Sequence, residues 1–367
     1  VLSANRLSKF IYKATNKIMQ STIDKQDNQQ NRKDTTPPEA LIQIITSPWV
    51  SQAIYAVAKL GIADLLKDAS KSSEQLAKAT NTHERSLYRL LRALASVGIF
   101  AEIEGSRFEL TPLAVYLQTG VPNSVRAFAI MFGEEWHWQP WLNVLHSIQT
   151  GKTAFEHVYG MKLFQYLEKN PVNAQIFNEA MTSTTATLGA SIASDYDFCD
   201  LSKIVEVGGG HGGLIVSILK EYPNLQGILF DLPHVVSDAE HFIEVEGLTQ
   251  RCQIVGGNFF ESVPSGGNAY ILKQIIHDWD DAQAIAILKN CRRAMVEKGK
   301  VLLIETVIPL INEPSFSKFV DLEMLVGSGG CEPTEAEYRA LFKAAGFQLT
   351  RVIPTGSSLN VIEGVPI

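Results

Sequence analysis

The stretch "KIVEVGGGHGG", residues 203–213, decides the fold. An apolar strand, "KIVEV", runs straight into five glycines grouped around His211. Gly208, Gly210 and Gly213 match G-x-G-x-x-G, where bare backbone makes a tight strand-to-helix turn and lets a ligand approach closely. A match this short does not separate a nicotinamide cofactor from another adenosine-bearing ligand, so the flanking chain has to decide.

From about residue 160 onward, apolar strands alternate with amphipathic helices. The strands read "KIVEV" (203–207), "GILFDL" (227–232), "CQIVGG" (252–257), "AYILKQII" (269–276) and "KVLLIE" (300–305). This βα alternation predicts an α/β fold with a doubly wound, mostly parallel sheet. The chain ends differently, on "FQLTRVIPT", a Gly-Ser-Ser turn and "LNVIEGVPI". Two strands joined by so short a loop must be antiparallel. A parallel sheet finished by such a hairpin argues against a dehydrogenase layout and for a methyltransferase one.

Upstream lies a mostly helical region, taken as residues 39–150. Its first apolar stretch is expected to break into helices near Pro48 and Gly61. Ser72 and Gln75 have capping-box spacing. Leu87, Leu90, Leu91 and Leu94 form one stripe, and "AEIEGSRFELT" turns at Gly105 as a hairpin. Helix, turn, helix, β-ribbon is the winged-helix arrangement. Arg85, Arg89 and Arg92 lie opposite the leucine stripe, as on a DNA reader. Acids nearly balance bases across this region, so no field for phosphates is expected, and nucleic acid is not predicted as a partner.

Residues 1–38 are expected to be an amphipathic helix and a polar linker. Leu7, Phe10, Ile11, Ala14 and Ile18 share one face, and Arg6, Lys9, Lys13 and Lys17 another. Docking on the protein or a partner subunit is the expected role, with membrane-surface contact or a transit function as alternatives. The whole chain of 367 residues is 46% hydrophobic, enough for two cored domains, and carries a net charge of −7. That charge disfavours bulk attraction to nucleic acid or anionic membrane. Cys199, Cys252, Cys291 and Cys331 show no metal-type spacing and read as reduced thiols of a cytoplasmic protein. No apolar run is expected to reach the length of a membrane span.

Together "VEVGGGHGGLIVSILKEYP", "FDLPHVV", "LKQIIHDWDD" and "GGCEPTEAEYRALFKAAGF" resemble the small-molecule O-methyltransferases of the plant phenolic and bacterial natural-product type. The resemblance covers roughly residues 40–367. It implies S-adenosylmethionine as cofactor, a methyltransferase sheet, and a homodimer formed through a winged helix that does not bind DNA. Gly208 and its neighbours would then press backbone against the methionine and ribose portion. Asp231, ending the second strand with Leu232 beside it, can accept ribose hydroxyls. Asn258 and Phe259 stand where the family reads adenine, with Asn258 in place of the usual Asp. Lys273 resembles a family lysine beside the cofactor, and Trp279 either stacks on adenine or fills core.

His277 and Glu305 end consecutive strands, so both are expected at the carboxyl edge of the sheet with Asp231. By resemblance His277 is the general base, flanked by Glu305 and Glu332. Here Pro333 follows Glu332 where the family usually has arginine, a departure expected to shift Glu332. Asp278 contacts substrate oxygen in the family; Phe177 and Met181 match positions facing cofactor and acceptor, and Met131 and Met324 are similarly placed. Asp278, Asp280 and Asp281 also form an acidic run, but Asp280 and Gln283 have capping-box spacing, and no metal is predicted.

An imidazole near pKa 6.5 faces ~5 kcal/mol uphill in taking a proton from a phenol near 10. A positioned base bridges such a gap, whereas an alkanol would leave roughly 12–13 kcal/mol. The acceptor is therefore expected to be an acidified hydroxyl of a small aromatic or enolic metabolite. The alternatives are a methyltransferase-fold enzyme with another reaction, a DNA-binding regulator and an NAD-linked dehydrogenase.

Overall fold

Thr36 starts the first helix, its N–H and hydroxyl both donating to the Glu39 carboxylate at 2.8 and 2.9 Å. The computed structural model describes residues 36–367 apart from Asp238, Leu310 and Ile311, and apart from the side chains of 184–188 and 190. The expected N-terminal amphipathic helix and most of the linker behind it lie outside the described residues. The chain divides into two compact units, one running to Trp138 and including Gln175–Thr184, the other holding Gln139–Ala174 and Thr185–Ile367.

In the first unit, helix α1 (Pro37–Lys59) runs through Pro48 without a break. That corrects the expected interruption. Proline removes one ladder bond and costs about 3 kcal/mol in a helix interior. Beyond Pro48, α1 goes on to bury Val57 and pack Ala53 and Ile54 on the core of this unit, which favours continuation. By length and composition α1 is also apolar enough to cross a membrane, correcting the expectation that no run reaches that length. Its outer surface is bare, with Ile45 65% and Trp49 75% exposed.

Strand β1 (Lys71–Ser72) leads into α2 (Ser73–Thr80), capped by Ser72 and Gln75 as their spacing predicts. Helix α3 (Glu84–Ser96) buries Leu87, Leu91 and Leu94. The hairpin β2 (Phe100–Ile103) and β3 (Arg107–Leu110) closes a small sheet of order β1-β3-β2, completing the winged-helix pattern. The Arg92 guanidinium lies 5.4 Å from the centre of the Tyr88 ring. Helix α4 (Arg126–Gly133) packs along α1, where Gly133 is needed because a Cβ there would lie 2.1 Å from Tyr55.

Helix α5 (Pro171–Asp195) contributes residues to both units. The second unit is built on β4 (Lys203–Val207), β5 (Gln226–Asp231), β6 (Cys252–Gly256), β7 (Ala269–Lys273), β8 (Lys300–Glu305), β9 (Phe347–Pro354) and β10 (Asn360–Pro366). Their order is β6-β5-β4-β7-β8-β10-β9, with β4–β8 parallel and β9 and β10 antiparallel. The predicted doubly wound sheet with a terminal hairpin is therefore present. Helices α6 (Gly213–Glu221), α7 (Asp281–Ala294), α8 (Ser317–Val326) and α9 (Glu335–Ala345) accompany it.

The central strands are apolar throughout because both faces are covered. Ile204, Leu229, Ile271 and Ile304 join the core on one face, and Val205, Phe230, Leu272 and Leu303 that on the other. The reversal leaves β10 inserted between β8 and β9. There Glu363 accepts hydrogen bonds from Tyr196 (2.6 Å), Thr350 (2.8 Å), Lys300 (3.2 Å) and Arg351 (2.6 Å).

Candidate active site

At the carboxyl edge of the sheet, the glycine turn after β4 has positive φ at Gly208 (71°) and Gly210 (56°). The two glycines are bare for different reasons. A Cβ on Gly208 would lie 2.4 Å from Ile275, so protein packing excludes a side chain there. A Cβ on Gly210 would have nothing within 4 Å, so this position opens to free space. Beneath the turn sits Glu206, 2% exposed, which accepts the Ile215 N–H at 3.1 Å. Burial pushes its carboxyl up to about 8 against the opposing pull of Lys273. Sequence reading passed over Glu206, although an acid inside a strand as apolar as "KIVEV" is itself a signal.

Asp231 ends β5 as predicted. Its Oδ2 accepts the Gly210 N–H at 2.8 Å and its Oδ1 the Leu232 N–H at 2.7 Å. Burial raises its pKa, and those two amide bonds oppose the rise. Leu232 beside it is 40% exposed. Asn258 also caps a local turn, its Oδ1 accepting the Phe260 N–H at 3.0 Å. Phe259 packs edge-on to Trp279 at 5.9 Å, and Trp279 stacks on Phe164 at 5.3 Å.

Lys273 ends β7 and donates to Gln274 Oε1 at 3.0 Å. Burial lowers its pKa, while Glu206 and Glu305 hold it up. Gln274 adopts φ 52°, in the left-handed region that a residue without an Asn or Asp side chain rarely enters. That kink leads the chain from β7 into the 3₁₀ turn Ile276–Asp278, which carries His277.

His277, Glu305 and Glu332 do converge. Nδ1 of His277 lies 2.7 Å from Glu332 Oε1 and 3.7 Å from Glu305 Oε2. Glu305 is otherwise spent on the backbone, its Oε1 accepting the N–H groups of Ile275 (3.0 Å) and Ile276 (2.9 Å). The direct partner of the ring is thus Glu332, and Pro333 does not displace it. Pro333 instead anchors the loop through its carbonyl, which accepts the Ile308 N–H at 3.1 Å. Asp278 Oδ1 stands 3.9 Å from Nε2. The imidazole keeps 8% of its side-chain surface, whereas Glu305 Oε2 and Glu332 Oε2 are sealed and unpaired.

Burial alone would lower the imidazole pKa. The charges of Glu305, Asp278 and Glu332, with the Glu332 hydrogen bond, more than offset it and raise the group to about 10. Burial also drives Glu305 and Asp278 upward, with the His277 charge opposing. One nitrogen and two carboxylates lie within 4.8 Å of one another, a donor set by type suited to a divalent ion, although Nδ1 and Glu332 Oε1 already satisfy each other. Asp280 caps α7 through the Gln283 N–H at 2.9 Å, as its spacing predicts.

Of the expected substrate residues, Met324 on α8 belongs to this unit and is half-buried. Met131, 4% exposed, and the half-buried Phe177 and Met181 belong to the first unit.

Comparison with known proteins agrees with this fold. An O-methyltransferase domain profile matches residues 141–348, and an O-methyltransferase dimerisation domain profile matches 42–120, which takes in most of α1. A phenazine O-methyltransferase of Lysobacter antibioticus is 46% identical over 92% of this chain and 99% of its own. A mitomycin biosynthesis 6-O-methyltransferase of Streptomyces lavendulae is 34% identical over 89% and 93%. Among solved structures, LaPhzM superposes with a TM-score of 0.88 at 46% identity, covering 90% of this chain and all of that one. The mitomycin 7-O-methyltransferase MmcR gives 0.84 at 34%, covering 90% and 98%. The chain belongs to the S-adenosylmethionine-dependent O-methyltransferases that act on small metabolites and carry an N-terminal dimerisation domain.

Proposed function

We propose that this enzyme methylates a phenolic or enolic hydroxyl of a small planar metabolite, with His277 as general base. The observation that carries the reading is the 2.7 Å contact between Nδ1 and Glu332 Oε1. It commits Nδ1 as a donor and leaves Nε2 to accept the hydroxyl proton. When bound, S-adenosylmethionine supplies an electrophilic methyl group on a sulfonium. The strand-end residues suit such a ligand, with open space at Gly210, a buried carboxylate at Asp231 and an exposed apolar side chain at Leu232. Gly208, Asn258, Phe259 and Lys273 complete the proposed cofactor set.

The raised pKa of His277 narrows the chemistry further. At about 10 the imidazole is level with a phenol near 10, and the uphill transfer expected of an ordinary histidine disappears. Below that value the ring is mostly imidazolium, so the base form is the minor one at neutrality and becomes the main one as pH approaches 10. Asp278, beside Nε2, is assigned to the acceptor hydroxyl. Met324, on α8 of the same unit, is assigned to the acceptor's ring, where a thioether adapts to flat surfaces.

Fused-ring acceptors are favoured because the phenazine enzyme is so similar over its whole length. NcsB1, of known structure with 1,4-dihydroxy-2-naphthoic acid and 30% identical, supports the same class. Four free cysteines support work in the reducing cytoplasm. One relative at 31% identity is an 8-amino-8-demethylriboflavin N,N-dimethyltransferase, which favours testing aromatic amines as a second class.

The test is a panel of hydroxylated phenazines, naphthoates, simple phenols and aromatic amines, scored for a one-methyl mass gain. His277→Ala is run beside the wild type. Methylation of the hydroxyl members that falls about 10²–10⁴-fold in the variant is the expected result. Unchanged turnover in His277→Ala, or transfer to amines alone, overturns the reading.

A further inference from the structure

We infer that Asp321, on α8, is a positioning residue that holds Glu332 against His277. The inference rests on the proposed role of His277. Glu332 belongs to no helix or strand; it sits in the loop between Gly327 and the cap of α9 at Thr334. Where its carboxylate stands therefore depends on what fixes the loop.

The Gly329 N–H ties the loop's start to the Met324 carbonyl at 2.7 Å, and three further contacts act beside Glu332. Asp321 Oδ1 accepts the backbone N–H of Glu332 itself at 2.9 Å. The Pro333 carbonyl accepts from Ile308, and Pro333 has no N–H to offer in return. Gly330 lies flat on the catalytic segment, where a Cβ would stand 1.9 Å from the His277 carbonyl oxygen and 2.6 Å from the Asp278 carbonyl carbon. Gly330 thus sets how closely the loop approaches, and Asp321 sets which way Glu332 faces once it is there. Pro333 fixes the far side. Among these, only Asp321 acts on the Glu332 main chain through a side chain, so a substitution can remove it without altering the loop's own sequence.

The groups facing the imidazole are Glu305 from β8, Asp278 from its own turn and Glu332 from the loop. Glu305 is placed by β8 and by its bonds to the Ile275 and Ile276 N–H groups, whereas Asp278 also bonds Ser328 of the loop. Loosening the Glu332 main chain alone therefore removes one carboxylate from the ring and leaves Glu305 in position.

The experiment compares Asp321→Asn with Asp321→Leu in the full-length dimer, using imidazole NMR titration of His277, kcat and cofactor affinity by calorimetry. Asn keeps an oxygen acceptor for the Glu332 N–H, and Leu does not. The expected result is a His277 midpoint lowered by about one pH unit in Asp321→Leu, with kcat down about 10²-fold. Cofactor affinity stays within about twofold, and Asp321→Asn behaves like the wild type. A folded Leu variant with wild-type titration and kcat overturns the inference. So does an Asn variant as damaged as Leu, because charge rather than the hydrogen bond would then be responsible. If the Leu variant does not fold, Gly330→Ala gives the same readout, since pushing the loop outward must also lower the midpoint; an unchanged midpoint there overturns the inference. Should His277→Ala keep full activity, the base assignment fails, yet the titration still reports whether Asp321 holds Glu332 on the ring.

Discussion

Glu332 Oε1 stands 2.7 Å from Nδ1 of His277, while the second glutamate at the site, Glu305, reaches the same nitrogen only at 3.7 Å. The two carboxylates therefore do different work. One orients the ring through a hydrogen bond; the other holds two backbone amides and contributes charge.

Isosteric amides separate the two. Glu332→Gln puts a donor or a neutral acceptor against Nδ1 and disturbs the tautomer, and kcat is expected to fall about 10²–10⁴-fold. Glu305→Gln keeps an oxygen for the Ile275 and Ile276 N–H groups and loses only charge, with a loss of about tenfold or less. Equal losses in steady-state assays would contradict this division.

The pH dependence has a definite sign. Because the folded imidazole titrates near 10, kcat/KM of the wild type is expected to climb from neutrality and level off on the alkaline side. Glu305→Gln removes a raising charge, so its profile levels off at lower pH. For stability, a folded pKa above the unfolded value of about 6.5 stabilises the native state fully below pH 6.5, and this contribution is lost as pH rises to about 10. Thermal unfolding across that window should show a steeper alkaline loss in the wild type than in His277→Gln.

Glu363 works in the opposite direction. Burial tends to raise its carboxyl, but hydrogen bonds from Arg351, Tyr196 and Thr350 prevail and hold it down at about 2. A depressed folded pKa stabilises the protein above the unfolded value of 4.5 and is lost as pH falls towards 2. Glu363→Ala removes the acceptor of the buried Tyr196 hydroxyl, while Arg351 and Lys300 keep access to water, costing about 1–3 kcal/mol by chemical denaturation. The network joins β10 to β9 and the start of β8, at the end of β8 opposite Glu305, so kcat of the folded fraction should not change.

Helix α1 leaves Ile45 and Trp49 largely exposed within the region matched by the dimerisation domain. Ile45→Glu combined with Trp49→Glu is expected to shift sedimentation from dimer to monomer at micromolar concentration. A double variant that still sediments wholly as a dimer would place the subunit contact elsewhere.

Much of this was legible from residue order. The βα alternation, the Gly-Ser-Ser turn before the last strand and the caps at Ser72 and Asp280 are local patterns, and local physics settles them. Pro48 was misread because a local penalty was outweighed by packing further along the same helix. Glu206 went unnoticed because its role depends on the Ile215 N–H, nine residues further on, which only the folded turn brings to it.

The sequence by itself therefore determined the elements and the parallel sheet with its reversed ending, and through its family resemblance it named a histidine and two glutamates as the candidate reactive set. Only the tertiary structure decided that β10 enters between β8 and β9, that Glu332 rather than Glu305 holds the ring, and that Asp321 and Gly330 place Glu332 there. The reason is distance along the chain. His277 and Glu332 are 55 residues apart, and a hydrogen bond between them is set by how separate elements pack, which no local spacing encodes.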